Sequence, residues 1–273
     1  MADPSQPSPA PLATEQAIRL ARTGIRRGTV VRWLLILIGF GGVVLAGVER
    51  APSVGPAMAL GAALAWVMLV VRSVRSQQDL LGVPVLIEHR QQDQADQIIA
   101  ASLRAFSIFR APRMQALQHL ASIRHEQRRS QDAAALISEL LRYRLTPAAR
   151  TSLLLLRAQS ALELNDLPAV HAALSSLPPP ASLAESMKLM QLQTDYCVRV
   201  GAWSAALDNL PWKVELAELL PTDDAAWVQG LLALAAQRCN LPEWHAWLQR
   251  RAELLGDRTS LVQRQPMLGE LFA

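Results

Sequence analysis

Five histidines, His89, His119, His125, His171 and His245, are the first residues to test for metal binding or acid–base chemistry in this chain. A zinc hydrolase helix needs two histidines four residues apart with a glutamate between them, so that both imidazoles reach one ion from one face. No such pair occurs, and His119 and His125, six apart, do not share a face closely. The paired carboxylates Asp223-Asp224 follow Thr222 and read as the acidic start of a helix, where they meet the positive end of its dipole. Gly39-Phe-Gly-Gly42 has the composition of a phosphate loop but lies inside an apolar run, where it cannot cradle phosphate. A Gly-x-Ser-x-Gly nucleophile elbow is absent. Two cysteines, Cys197 and Cys239, are too few for a disulfide framework. Both fall in apolar helical patterns, as small buried hydrophobes do, with redox chemistry or a bridge as the alternative. These residues imply no catalytic centre, cofactor or metal site, and an enzyme is the reading with no residue set behind it.

Charge is the next constraint. The chain has a net charge of +4, but residues 1–76 hold eight arginines against Asp3, Glu15 and Glu49, leaving the other residues at −1. The basic excess flanks two apolar runs, where it suits anionic headgroups. The larger remainder lacks the clustered positive face that a nucleic-acid backbone needs, so nucleic acid is not an expected partner. Only Lys188 and Lys213 are lysine among 27 basic residues, a bias that suggests a GC-rich, bacterial genome.

The apolar runs are Trp33–Val48 and Val54–Val71, 16 and 18 residues without a charge. A bilayer core needs about 20 helical residues, or ~17 at the short end, and snorkelling of Arg32 and Arg72 extends both runs. They are joined by Glu49-Arg-Ala-Pro-Ser53, and Pro56 sits in the first turn of the second helix. So short a link predicts a tight antiparallel transmembrane hairpin over 30–76. Five arginines precede the first apolar run and two follow the second, against one in the link, which puts both chain ends in the cytoplasm. The expected location is the bacterial inner membrane, multi-pass. A cleaved signal peptide ending near Val44-Leu-Ala-Gly47 is the rival; the long preceding segment and the immediate second span argue against it. Neither span holds Asp, Glu, Lys or His, so the hairpin reads as an anchor rather than an ion path. Gly42 and Ala46, then Ala57, Gly61 and Ala65, fall at helical spacing and suit either packing within the hairpin or oligomerisation. Residues 1–13 are Pro/Ser/Ala-rich and are expected to be disordered. In the basic flank 1–29, Thr14–Ile25 is either a short amphipathic helix on the headgroups or unstructured.

Beyond a linker at 77–91, in which Pro84 and β-branched residues favour an extended Gly82–Ile87, apolar residues recur at helical spacing through 92–273. The predicted helices are 92–109, 112–127, 131–144, 147–163, 167–177, 181–199, 202–219, 223–238 and 241–255. The turns beginning at Arg128, Asn165, Gly201 and Asn240 align with separations of 37, 36 and 39 residues. Seven residues before each lies a small residue: Ala121, Ala158, Thr194 and Ala233. Such a pattern predicts repeated helical hairpins, the small residue admitting the second helix and a left-handed turn residue joining the two. Asn165, Gly201 and Asn240 suit that turn; Arg128 does not. The tail 256–273, with Met267-Leu268 and Leu271-Phe272, either folds back on the last hairpin or remains free.

This pattern over about 112–255 resembles the tetratricopeptide repeat, most closely at Leu156-Arg-Ala-Gln-Ser-Ala-Leu-Glu-Leu-Asn-Asp-Leu-Pro-Ala-Val-His-Ala-Ala-Leu174. His245 and Thr194 depart from the small residues that the family favours there. The resemblance implies an all-α chain: the N-terminal hairpin, then an α-solenoid of about four degenerate helical hairpins. An irregular helical bundle is the alternative. The family binds through a concave face lined by first helices, which here implies Gln115, Gln118, His119, Ser122, His125 and Gln159, continued by Lys188, Gln191, Asp195, Arg199, Trp227, Gln237 and Arg238. This polar set, with both charge signs, suits a peptide or protein surface. The expected function is a membrane-anchored adaptor or scaffold for protein partners. The second reading is an accessory subunit of a larger membrane complex, and homo-oligomerisation is compatible with either.

Overall fold

The computed structural model describes residues 12–46 and 54–272. The stretch 1–11 and the proline-containing link 49–53 therefore lie outside the described residues. Every regular element among those described is helical, so the protein is all-α with two long apolar helices at its N-terminal end. It divides into two compact units, Met1–Leu145 and Thr146–Ala273.

In the first unit, α1 (Thr14–Ala46) and α2 (Val54–Leu81) pack along each other and are long and apolar enough to cross a membrane. Only 11% of the most apolar window of either helix is buried, whereas a soluble core helix would be mostly covered. Trp33, Leu37 and Phe40 on α1, with Leu64 and Met68 on α2, instead form an uncovered apolar band. Small residues bring the pair together. A Cβ on Gly42 would stand 2.8 Å from the Ala59 nitrogen and the Gly55 carbonyl, and Ala62 is buried beside Gly39. Ala57 and Gly61 face outward.

Both helices run well past the predicted spans. Thr14–Ile25, expected as either a short amphipathic helix on the headgroups or unstructured, is helical, but as the continuous start of α1, where Ala17 and Ala21 are fully buried. The extended linker expected at 82–87 is helix α3 (Val83–Glu88), because Pro84 falls in its first turn, where no N–H is needed. Next come α4 (Gln92–Arg104), α5 (Ala111–Glu126) and α6 (Ser130–Leu140), and the polar stretches of α1 and α2 pack on them.

Three arginines hold that contact. Arg124 of α5 is wholly buried and donates to Asp96 on α4, to Gln127 and to the Leu12 carbonyl just before α1. Arg113, also buried, lies against Gly24 of α1 and donates to the carbonyls of Ala105 and Ser107. Exposed Arg22 of α1 reaches the buried carboxylate of Glu139 on α6, with Nε 2.7 Å from Oε1, and Tyr143 donates to the same oxygen.

The second unit contains α7 (Pro147–Glu163), α8 (Leu167–Ser175), α9 (Leu183–Arg199), α10 (Trp203–Leu207), α11 (Leu210–Glu218), α12 (Thr222–Arg238) and α13 (Pro242–Leu255). Short helices α14 (Arg258–Arg264) and α15 (Gly269–Phe272) flank a 3-10 turn at Pro266–Leu268. Helix starts follow local chemistry: Thr146, Asp166, Ser182 and Asp257 each accept a backbone N–H in the first turn of the helix they open. Asp223 and Asp224 occupy the first turn of α12, as expected from the dipole.

Each hairpin turn at Arg128, Asn165, Gly201 and Asn240 has a positive φ, between 55° and 73°. After every one, the next N–H closes a six-residue loop onto the carbonyl five residues back, as Asp166 does to Ala161 and Leu241 to Ala236. Arg90 adds an earlier turn of the same kind, with φ 58° and a Gln91-to-Leu86 bond. The small residues Ala121, Ala158, Thr194 and Ala233 are all fully buried, as the aligned spacing requires. Arginine takes the left-handed turn twice at some strain, which the closing hydrogen bonds offset.

Candidate functional site

The residues expected to line a concave face fall on both units, and each unit is described by itself. In the first, Gln115, Gln118, His119, Ser122 and His125 lie on α5, and all are half-buried. The Ser122 hydroxyl donates to the Gln118 carbonyl of its own helix. Burial pushes the His119 imidazole below its ordinary pKa, so it favours the neutral form.

In the second unit, Gln159 is half-buried on α7, while Gln191 and Asp195 on α9 and Trp227 on α12 are buried. These three residues of the expected partner-binding face are therefore covered by the chain itself. Asp195 accepts from Arg199 through both oxygens, at 2.8 and 3.1 Å, and Arg199 also donates to the Leu162 carbonyl. Gln237 and Arg238 are exposed.

The cover over α12 comes from the chain's own residues 258–272. Arg264 stacks on the Trp227 ring, 4.0 Å from its centroid, and pairs with Asp224 at 2.8 Å. Gln265 points its amide at Asp195, Leu268 packs where Gly230 leaves a notch, and Glu270 pairs with Arg238. Lys188 of α9 faces the same charges: burial pushes its ammonium pKa down, against the pull of the Asp224 carboxylate. The tail therefore folds back, one of its two expected dispositions, and lands on the face assigned to a partner.

A second feature was missed from the sequence. The helix expected over 202–219 breaks at Asp208-Asn209, where Asn209 is left-handed with φ 54° and Pro211 restarts the chain as α11. The break opens a cavity of about 500 Å³ lined by His171, Tyr196, Cys197, Asp208, Trp212 and Lys213. The motif Asn209-Leu-Pro211 was its sequence signal. Lys213 is buried and donates to the Ala205 and Ala206 carbonyls that end α10. Burial raises the pKa of the Cys197 thiol, which keeps it protonated and weakly nucleophilic. Cys197 and Cys239 are free and half-buried rather than fully buried. Among the described residues, no three His, Cys, Asp or Glu side chains group as metal ligands. No family model, curated protein or solved structure matches the chain.

Proposed function

We propose that this chain is a membrane-anchored helical-repeat adaptor that gathers partner proteins at the cytoplasmic face of a bacterial inner membrane. The observation that carries the reading is the continuity of α1 and α2. Their apolar stretches are uncovered, and their polar stretches pass without a break into contact with α4, α5 and α6. An anchor of this kind holds the helical hairpins of the first unit at a fixed height above a bilayer. The arginine distribution, five before the first span, two after the second and one between, supports the cytoplasmic side. The hairpins recurring every 36–39 residues on buried small residues support the tetratricopeptide-like character of 112–255. The half-buried amides and imidazoles along α5 suit a protein or peptide surface more than a small metabolite.

Co-purification from native membranes tests the reading. Weakly held, substoichiometric client proteins on a monomeric or homo-oligomeric chain are the expected result. A stoichiometric, salt-resistant assembly would move the assignment to the second reading, an accessory subunit of a membrane complex. The outward-facing Ala57 and Gly61 favour that reading, since small residues let another membrane helix approach closely.

A further inference from the structure

The segment over α12 has the properties of a bound peptide. It consists of seven residues of α14, one 3-10 turn and four residues of α15, pieces too short to be stable as isolated helices. Its side-chain contacts with α12 run along one stripe, and Gln249 of α13 also donates to the Leu271 carbonyl. Trp227, Gly230 and Arg238 stand 13, 10 and 2 residues before the Asn240 turn, and Lys188, Gln191 and Arg199 hold the same places before Gly201. Arg264, Leu268 and Glu270 meet the three α12 positions in order.

The fit is incomplete. Trp227 Nε1 is buried without an acceptor, and Gln265 reaches Asp195 only at 3.4 Å, a carboxylate already engaged by Arg199. The Arg238–Glu270 pair is about half exposed on both sides, so it contributes little. Leu261, Leu268 and Leu271 supply most of the hold by burying apolar surface.

We propose that the inner face of α9 and α12 is a peptide-binding surface, and that Arg258–Phe272 is its cis occupant, displaced by a partner-protein segment of like chemistry. That segment carries a basic residue for Trp227 and Asp224, with apolar residues one and two helical turns later. Tethering favours the chain's own segment, so an untethered segment replaces it either by binding better or at a concentration above the effective concentration of the tether. A carbonyl placed on Trp227 Nε1 is the available gain. The inference rests on the adaptor reading and names the surface that would serve it.

The test uses the full chain, uniformly labelled with ¹⁵N, in lipid nanodiscs and an unlabelled synthetic peptide of residues 257–273. Amide exchange read by mass spectrometry follows 258–272 and Thr222–Arg238 separately. The expected result is exchange at least about 100-fold faster in the segment than in α12, because it opens without the rest of the unit. Saturating peptide should accelerate exchange in the chain's own segment while α12 stays protected. A peptide carrying Arg264→Glu and Leu268→Asp should do nothing. Equal exchange in segment and α12, or no response to the native peptide, overturns the proposal and makes the segment a fixed cap. Exchange in the segment that changes with chain concentration alone, without peptide, makes a second copy the occupant and overturns the partner assignment. Co-purified clients report the adaptor role separately, so clients retained alongside a fixed cap reject only this surface.

Discussion

Arg124 is an arginine with no exposed surface, held by a carboxylate, an amide and a backbone carbonyl. Removing one partner of a buried pair leaves the other desolvated and uncompensated. Arg124→Leu should therefore lower unfolding stability by about 3 kcal/mol, read as a fall in the melting temperature of the detergent-solubilised chain. Glu139 behaves differently with pH. Hydrogen bonds from Arg22 and Tyr143 hold its carboxyl below the ordinary glutamate value of 4.5, against the opposing effect of burial. A depressed folded-state pKa stabilises above that ordinary value, and the stabilisation is lost as pH falls through the folded-state pKa. Glu139→Gln should thus destabilise the chain at neutral pH, and the difference from wild type should shrink as pH falls from 4.5 through the lower folded-state value, measured by thermal melts across pH. Neither role was legible beforehand. Arginine is ordinarily a surface residue, and nothing in local spacing marks the one that a distant helix will cover.

At the scale of elements, the alignment of hairpin turns was readable because it depends on local backbone chemistry. Asn165, Gly201 and Asn240 tolerate a left-handed conformation, and a small residue seven positions earlier marks where helices cross. Arg90 and Arg128 adopt the same turn, yet their side chains give no such signal, and the earliest turn went unnoticed. The extent of α1 was hidden for another reason. Its first five turns carry arginines that suit headgroups as well as they suit Glu139, and only tertiary packing decides between them. The resemblance implied a partner-binding face on α12, but the segment that covers it was not legible, since contact between residues 264 and 227 is non-local. Glycines now mark where α1 must pass close to its neighbours. A Cβ at Gly28 would lie 2.6 Å from the Ser107 carbonyl, whereas at Gly41 it would meet nothing. Gly28→Ala should cost about 1–3 kcal/mol and loosen α1 from the Ser107–Ile108 backbone, while Gly41→Ala should be neutral or slightly stabilising. Limited proteolysis around Arg104–Arg113 would record the difference.

For the whole molecule, the proposed topology makes a direct prediction. With both native cysteines replaced, a Ser260→Cys chain in intact cells should resist a membrane-impermeant thiol reagent, and Pro52→Cys should react. Labelling at 260 from the periplasmic side would reverse the proposed orientation. The unbroken passage of α1 from its apolar stretch into the helical hairpins has a mechanical consequence as well. From Arg32 back to Thr14 the helix extends about 28 Å at 1.5 Å per residue. A stiff rod of that length is a lever. Membrane helices tilt to match bilayer thickness, and a change of about 10° would swing the far end of α1 by about 5 Å. Because that end is clamped by Arg124 and Arg22, the displacement would be carried into α5 and α6 rather than absorbed in a loose tether.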